Sequence, residues 1–309
     1  MPKIPENKRF AGSWRAFSVE SPAKINLLLK ITGIRKDGYH NIASVFQMID
    51  LCDTITFKPA KKGKVSVTCS DKSIPVKKNL AWLAAMKLYK DGLPGVAIHV
   101  EKNIPSGAGL GGGSSNAATV LCALNQIWRL GLGDAKLMEI GLELGADVPF
   151  FLFAPRAWVC GIGEKLTKLP PAEKFAALLV KPRIKVSTQK AYKDFDFSLT
   201  KPLKPYRIPR QIRGSGFTLS ETVRLLQNDL EGTVLNMHPA IARLRRELQS
   251  LNGRGVMLTG SGSAMFVLFN GRKQANSALR AFSRKNKETW SKVVLPKNSM
   301  AHLKGVCGG

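Results

Sequence analysis

Between Ile104 and Thr119 the chain reads IPSGAGLGGGSSNAAT: Gly107, Gly109, Gly111, Gly112 and Gly113 lie between Ser106 and the pair Ser114-Ser115. Glycine reaches positive φ without a Cβ penalty, so such a loop can turn several amides inward around an anion. Ser114, Ser115 and Asn116 then offer hydroxyls and free amides where a helix begins, and a helix N-terminus carries partial positive charge. These residue types at this spacing suit a polyphosphate cradle. Gly107, Gly109 and Gly112 also satisfy the G-x-G-x-x-G of dinucleotide-binding loops. A dinucleotide unit would return to a parallel strand ending in an acidic residue, whereas the segment after the next helix reads as another helix, Asp134 to Leu144. Asp134, at about the right spacing, is explained as an N-cap. A Walker-type loop is excluded because no Lys-Ser or Lys-Thr follows the glycines.

The elements that must position this loop follow from periodicity. Alternation in DTITF (53–57), KVSVTC (64–69) and GVAIHVE (95–101) predicts half-buried strands, the last leading into the loop. NLAWLAAMKLY (79–89) and NAATVLCALNQIW (116–128) have apolar residues at three-and-four spacing and predict helices. Further on, prolines at 202, 205 and 209 make Lys201–Gly216 a loop or linker. Thr218 and Glu221 have the spacing of a capping box, opening a helix through about Leu230. Another helix follows His238-Pro239, with Gly253 placed to end it. GVMLTGSGSAMFVLF then gives two apolar strands around a glycine-serine turn at 260–263. The class is α+β.

At 309 residues and 44% hydrophobic content the chain suits about two domains with sizeable cores. The longest strongly apolar patch, VPFFLFA at 148–154, is too short for a membrane span, and the N-terminal residues lack the apolar run of a secretory signal. A cytoplasmic location is expected. The five cysteines form no C-x-x-C pair, so neither a zinc knuckle nor a disulfide framework is indicated. The formal charge of +27 favours polyanionic partners, but the basic clusters are dispersed and lack the interleaved aromatics of a base-stacking platform. Anionic small molecules are the expected partners, with no obligatory nucleic acid, no membrane, and a monomer or homodimer as the assembly.

PSGAGLGGGSSNAA resembles the nucleotide loop of the GHMP kinases, small-molecule kinases that include galactokinase, homoserine kinase and mevalonate kinase. SPAKINLLLKI, LGADVPFF and MLTGSGSAMF lie in that family's order, and the resemblance covers about residues 19 to 270. GIRKDGYHNIASVFQMID (33–50) is similar to the branch that acts on a cytidine-diphosphate-linked methylerythritol in the non-mevalonate isoprenoid route. The resemblance implies a two-domain GHMP kinase fold with the active site in the inter-domain cleft. The nucleotide-binding domain is expected at 18–165 and the substrate-side domain at 166–309. ATP and Mg²⁺ are the implied co-substrate and cation, with phosphorylation of the acceptor's 2-hydroxyl.

Residue by residue, the resemblance implies that ATP lies on Pro105, Ser106, Gly107, Ala108, Gly109, Leu110, Gly111, Gly112, Gly113, Ser114 and Ser115, with adenine held by backbone at 102–104. Asp147 in GADVP matches the catalytic aspartate, and Lys24 in SPAKINL the catalytic lysine. Without the family, Asp147 reads as an N-cap or an ion-pair partner and Lys24 as a snorkelling surface lysine. Lys24 and Asn26 share one face of a strand, which places Asn26 at the acceptor. Tyr39 and His40 match the cytosine-recognition segment, with Tyr192 as a second aromatic and Thr188 as a nearby hydroxyl. Gly260, Ser261 and Gly262 match the third family motif; a β-turn between buried strands explains the glycines almost as well. Ala108 stands where the family carries glycine, and a positive φ there would cost about 1 kcal/mol or more. Other family acceptors such as homoserine or mevalonate, a nucleic-acid-binding protein and a dinucleotide oxidoreductase are the competing functions.

Overall fold

The computed structural model describes residues 14–172, 174–195 and 218–300. The linker expected at Lys201–Gly216 and most of the N-terminal extension lie outside the described residues. In chain order the elements are β1 (Phe17–Ile34), β2 (His40–Ala60), β3 (Val65–Cys69), α1 (Leu80–Leu88), β4 (Gly95–Glu101), α2 (Gly112–Ile127), α3 (Asp134–Leu144) and α4 (Val148–Phe153). There follow β5 (Arg156–Gly161), β6 (Lys165–Lys168), β7 (Ala176–Lys181), α5 (Thr188–Lys193), α6 (Leu219–Leu225), β8 (Gln227–Asn228) and α7 (Leu230–Met237). The chain continues through α8 (Pro239–Gln249), β9 (Arg254–Leu258), β10 (Met265–Phe269), α9 (Arg272–Lys285) and β11 (Trp290–Val294).

Two sheets form. The first runs β3-β4-β2-β1-β8, with β5 also paired to β2 and β6 to β5; the second runs β11-β7-β10-β9. The expected division between residues 165 and 166 falls inside β6, a strand of the first sheet, and β8 returns to that sheet from beyond the second sheet's first strand.

Strand parity builds the layers. In β7, Ala177 and Leu179 face one core with Ile25 and Leu27 of β1, while Ala176, Leu178 and Val180 face another with Ile241 and Leu244 of α8 and Ala275 and Phe282 of α9. On the far side of the first sheet, Leu29, Phe46 and Phe57 pack with Ala81, Ala85, Val120, Leu124 and Phe150 of α1, α2 and α4. The order is helices, sheet, sheet, helices. Ala23, Ile25 and Leu27 turn toward the second sheet, so Lys24 and Asn26 turn toward the helices. A register shift between Asn26 and Leu28 then changes the parity of β1, a bulge beside the residues it re-aims.

Several expected boundaries move. Helix α2 begins at Gly112, one turn before Asn116, so Gly112–Ser115 are its first turn rather than a loop before it. Asp134 is the first residue of α3, behind Gly133 as N-cap. The capping box at Thr218 forms, but α6 ends at Leu225 instead of reaching Leu230. The next residues are claimed by β1: Gln227 and Asn228 pair with Leu28 and Leu29, and Asp229 Oδ2 accepts the Ile31 N–H at 2.9 Å. Asn228 Oδ1 then accepts the Leu230 N–H and starts α7. Helix α8 ends at Gln249, and the left-handed residue after it is Asn252, φ 53°. Gly253 is needed for packing instead, since a Cβ there would lie 2.2 Å from Val267 Cγ1.

Candidate active site

The loop before α2 alternates in backbone sign: Gly107, Gly109 and Gly111 have φ of 63°, 76° and 70°. That alternation turns successive N–H groups to one side, the geometry of an anion nest at a helix N-terminus. Ala108 is absent from the left-handed residues, is buried, and its carbonyl accepts the Ala264 N–H at 3.2 Å. Alanine therefore carries no strain there, and the penalty considered from sequence does not arise.

Other parts of the chain press on this loop. A Cβ on Gly109 would lie 2.2 Å from the Thr259 carbonyl oxygen, and one on Gly111 would lie 3.1 Å from Lys24 Cγ and 2.9 Å from Phe151 Cζ. The Lys24 N–H donates to the Leu110 carbonyl at 2.9 Å. Gly109→Ala thus combines a positive φ with a backbone clash. It is expected to destabilise the fold by about 2–4 kcal/mol, on the scale of forced overpacking plus backbone strain, measured by urea unfolding; a loss below about 0.5 kcal/mol would refute the contact.

Lys24 is 3% exposed. Its Nζ donates to Asn26 Oδ1 at 2.7 Å, lies 3.4 Å from Asp147 Oδ2 and sits 4.5 Å from the Phe46 ring centroid. Asp147 precedes α4 but makes no side-chain cap bond. Its side chain is 32% exposed, so one carboxylate edge meets the buried ammonium and the rest is open. The N-cap alternative fails. Asn26 is buried; its Oδ1 also accepts from Thr259 Oγ1 at 3.3 Å and its Nδ2 donates to Ser44 Oγ at 3.1 Å. It fixes Lys24 and has one amide hydrogen left for another partner.

His40 opens β2 and stacks obliquely on Tyr192 of α5, ring centroids 5.0 Å apart at 48°. Burial lowers the His40 pKa below its ordinary value, keeping the imidazole neutral near pH 7. Burial first, and then the Asp147 charge, push the Tyr192 phenol up, so its hydroxyl stays protonated. Tyr39 lies on the turn before β2, 62% exposed. Thr188, the first residue of α5, pairs its hydroxyl with Ser261 Oγ at 2.6 Å. Ser261 lies in the turn whose Gly260 and Gly262 are left-handed, and a Cβ on Gly260 would lie 3.2 Å from the Gly109 carbonyl. The expected residues therefore converge through three contacts: the loop on Lys24, which in turn meets Asp147, the 259–263 turn on the loop, and α5 on both His40 and that turn.

One group was not found from sequence. Asp53, buried in β2, accepts from Lys102 Nζ, from the Asn103 and Ile104 N–H groups at 2.8 Å each, and from Asn116 Nδ2 at 3.0 Å. Asn116 also donates to Ser21 Oγ, which donates to Ser115 Oγ at 2.8 Å. This network ties both ends of the loop to the first sheet. The Lys102 N–H donates to Ser70 Oγ, so within the backbone segment expected to hold adenine the three N–H groups are engaged inside the chain. The only hint in the sequence is an acidic residue inside an apolar alternation. Among the described residues no group of three or more His, Cys, Asp or Glu side chains could hold a metal ion.

Comparison with known proteins matches residues 76–154 to the GHMP kinases N terminal domain and residues 215–288 to the GHMP kinases C terminal domain. A 4-diphosphocytidyl-2-C-methyl-D-erythritol kinase of Citrifermentans bemidjiense is 43% identical over 84% of this chain and 91% of its own length. That of Neisseria gonorrhoeae is 40% identical over 85% and 89%. A crystal structure of 4-(cytidine 5'-diphospho)-2C-methyl-D-erythritol kinase superposes with a TM-score of 0.74 at 32% identity, covering 91% of this chain and all of the other. A homoserine kinase of Cytophaga hutchinsonii shares the fold, TM-score 0.67 at 19% identity. The chain belongs to the GHMP kinase family, within the branch whose curated members carry the name 4-diphosphocytidyl-2-C-methyl-D-erythritol kinase.

Proposed function

We propose that this chain transfers the γ-phosphoryl group of ATP to the 2-hydroxyl of 4-diphosphocytidyl-2-C-methyl-D-erythritol, a cytoplasmic step of the non-mevalonate isoprenoid pathway. The observation that carries the assignment is the buried Lys24 ammonium between Asp147 and the glycine loop, 3.4 Å from the carboxylate and tied by its own backbone to Leu110. Phosphoryl transfer asks for positioning, neutralised phosphate charge and a group that takes the hydroxyl proton. The nest at Gly107–Gly111 and the start of α2 supply the first two for the donor. Asp147, with its open edge, takes the proton from the acceptor hydroxyl. Lys24, 3.4 Å from that carboxylate, orients it and offsets the charge that develops on the transferring group. The free amide hydrogen of Asn26 goes to the acceptor.

A magnesium ion fits this arrangement as one carried in on the nucleotide, because Mg²⁺ binds few carboxylates and keeps phosphate and water ligands. The Ser114 hydroxyl, in the first turn of α2 next to Gly145, and the Asp147 carboxylate, paired with Lys24, are the oxygen ligands that would hold it. The cation would neutralise the β- and γ-phosphates.

His40 and Tyr192 read the cytosine. A neutral imidazole presents one donor and one acceptor, and the adjoining rings of His40 and Tyr192, with the exposed Tyr39 next to His40 in sequence, offer faces for stacking. His40→Ala should raise the KM for the cytidine acceptor about tenfold, the scale of one hydrogen bond lost in a desolvated site, with the KM for ATP unchanged. Steady-state kinetics on both substrates checks this; equal rises in both constants would contradict it. Because His40 is held neutral by burial, protonation at lower pH works against acceptor binding, so the acceptor KM should climb as pH falls through the imidazole's depressed pKa.

A further inference from the structure

From the end of β5 to the start of β6 the chain reads Gly161-Ile162-Gly163-Glu164, and both glycines have positive φ, 71° and 138°. The Gly163 N–H donates to the Cys160 carbonyl at 3.2 Å and closes the turn. Glu164 folds back over it: Oε2 accepts the Ile162 N–H at 2.7 Å and the Gly163 N–H at 3.1 Å, and a Cβ on Gly161 would lie 2.2 Å from Oε1. Joining two strands does not require a carboxylate pinned across the turn's amides, so this turn is held more firmly than chain reversal demands. Its neighbours give that firmness a use. Gly163 is buried against the backbone that precedes Asp147: a Cβ on it would lie 2.4 Å from the Ala146 carbonyl oxygen and 3.2 Å from the Ala146 Cβ. Ala146 and Asp147 are the central pair of a second turn, closed by the Val148 N–H on the Gly145 carbonyl at 3.0 Å. Val148 is pressed in turn on α3, where a Cβ on Gly141 would lie 2.9 Å from Val148 Cγ1. At the other end, Gly161 pairs with Ile42 of β2, two residues beyond His40.

We propose that the Gly161–Glu164 turn is a strut that fixes Asp147 relative to the base-reading end of β2, with Gly163 and Glu164 as positioning residues; this rests on the phosphoryl transfer proposed above. The Asp147 side chain caps no helix and meets Lys24 at 3.4 Å, longer than the 2.7 Å bond from Lys24 to Asn26. The place of the carboxylate is therefore set largely by the backbone behind it. That backbone can lie where it does because residue 163 has no Cβ. An ordinary contact in place of the 2.4 Å approach would push Ala146 and the strut apart by about 1 Å. A displacement of about 1 Å at a reacting group costs on the order of 10²-fold in rate. Whichever of the two turns yields, the spacing between Asp147 and the strand pair that carries His40 changes.

The strut acts through the Asp147 carboxylate alone, which separates it from a general effect on the fold. Gly163→Ala should lower kcat with ATP and the cytidine-linked acceptor by about 10- to 10²-fold, with both KM values within about threefold of wild type. In an Asp147→Asn background the same replacement should change the residual single-turnover rate by less than about twofold, because the group it misplaces is already gone. Glu164→Ala, which releases both amides, should lower kcat by about five- to tenfold, and Glu164→Gln, which keeps an acceptor oxygen for them, should restore most of that loss. The Glu164 pair decides the question if Gly163→Ala does not fold. In protein labelled with ¹³C at aspartate Cγ, the signal assigned to Asp147 by its loss in Asp147→Asn should move in Glu164→Ala and return in Glu164→Gln, while the other aspartate signals hold their places. An unchanged kcat in Glu164→Ala, equal losses with and without Asp147, or an Asp147 signal that stays put would overturn the strut. A moved signal in a protein whose wild type phosphorylates no cytidine-linked acceptor would keep the strut and remove the reaction.

Discussion

Asp147→Asn should lower kcat by about 10²- to 10⁴-fold, the range for removal of a positioned general base, while both KM values change less than about threefold. The separation follows from the surroundings of the carboxylate. Asp147 caps no helix with its side chain and is one-third exposed, so the amide replacement keeps its shape and is hydrated on the open edge. Its ion-pair partner, Lys24, keeps the Asn26 Oδ1 bond at 2.7 Å. Because the buried Lys24 ammonium then lacks a charged partner, folding stability should fall by about 1–3 kcal/mol, measured by urea unfolding beside single-turnover kinetics. An Asp147→Asn protein that turns over at near the wild-type rate would remove Asp147 as the base.

Lys24→Met should lower kcat by about 10²- to 10³-fold, as loss of one preorganised charge in a water-poor site does. Methionine fills similar space beside Phe46 and beneath Gly111, and the backbone N–H of residue 24 still holds Leu110. Asn26 Oδ1 keeps the Thr259 hydroxyl as donor at 3.3 Å, so no buried acceptor is stranded. The loss should thus appear in turnover. A kcat within threefold of wild type would contradict the role given to Lys24. The double replacement of Lys24 and Asp147 should cost far less than the product of the single effects, because the two act as one unit.

What the sequence made legible was the chemistry that travels in short segments. The nest could be read because glycine at alternate positions has few other uses, and the Lys24–Asn26 pairing because strand parity puts both on one face. The capping box at Thr218 likewise formed where its spacing placed it. What stayed hidden depended on distant partners. Asp53 looks like any polar position of a half-buried strand until Lys102, Asn116 and two backbone amides arrive around it. Helix α6 stops at Leu225 because β1 offers Gln227 and Asn228 a strand to pair with, a long-range competition that local propensity does not register.

The basic surplus of the chain suits two polyanionic substrates, although charge alone does not choose an acceptor. On the reading proposed above, the His40–Tyr192 face chooses the acceptor. The most direct test is ADP release measured across a panel of alcohols at fixed ATP and magnesium, including 4-diphosphocytidyl-2-C-methyl-D-erythritol, homoserine and mevalonate. The cytidine-linked compound should be turned over with a kcat/KM at least about 10³-fold above the others, as expected of a site built to hydrogen-bond its substrate. Phosphorylation of homoserine or mevalonate with no turnover of the cytidine-linked compound would contradict the assignment.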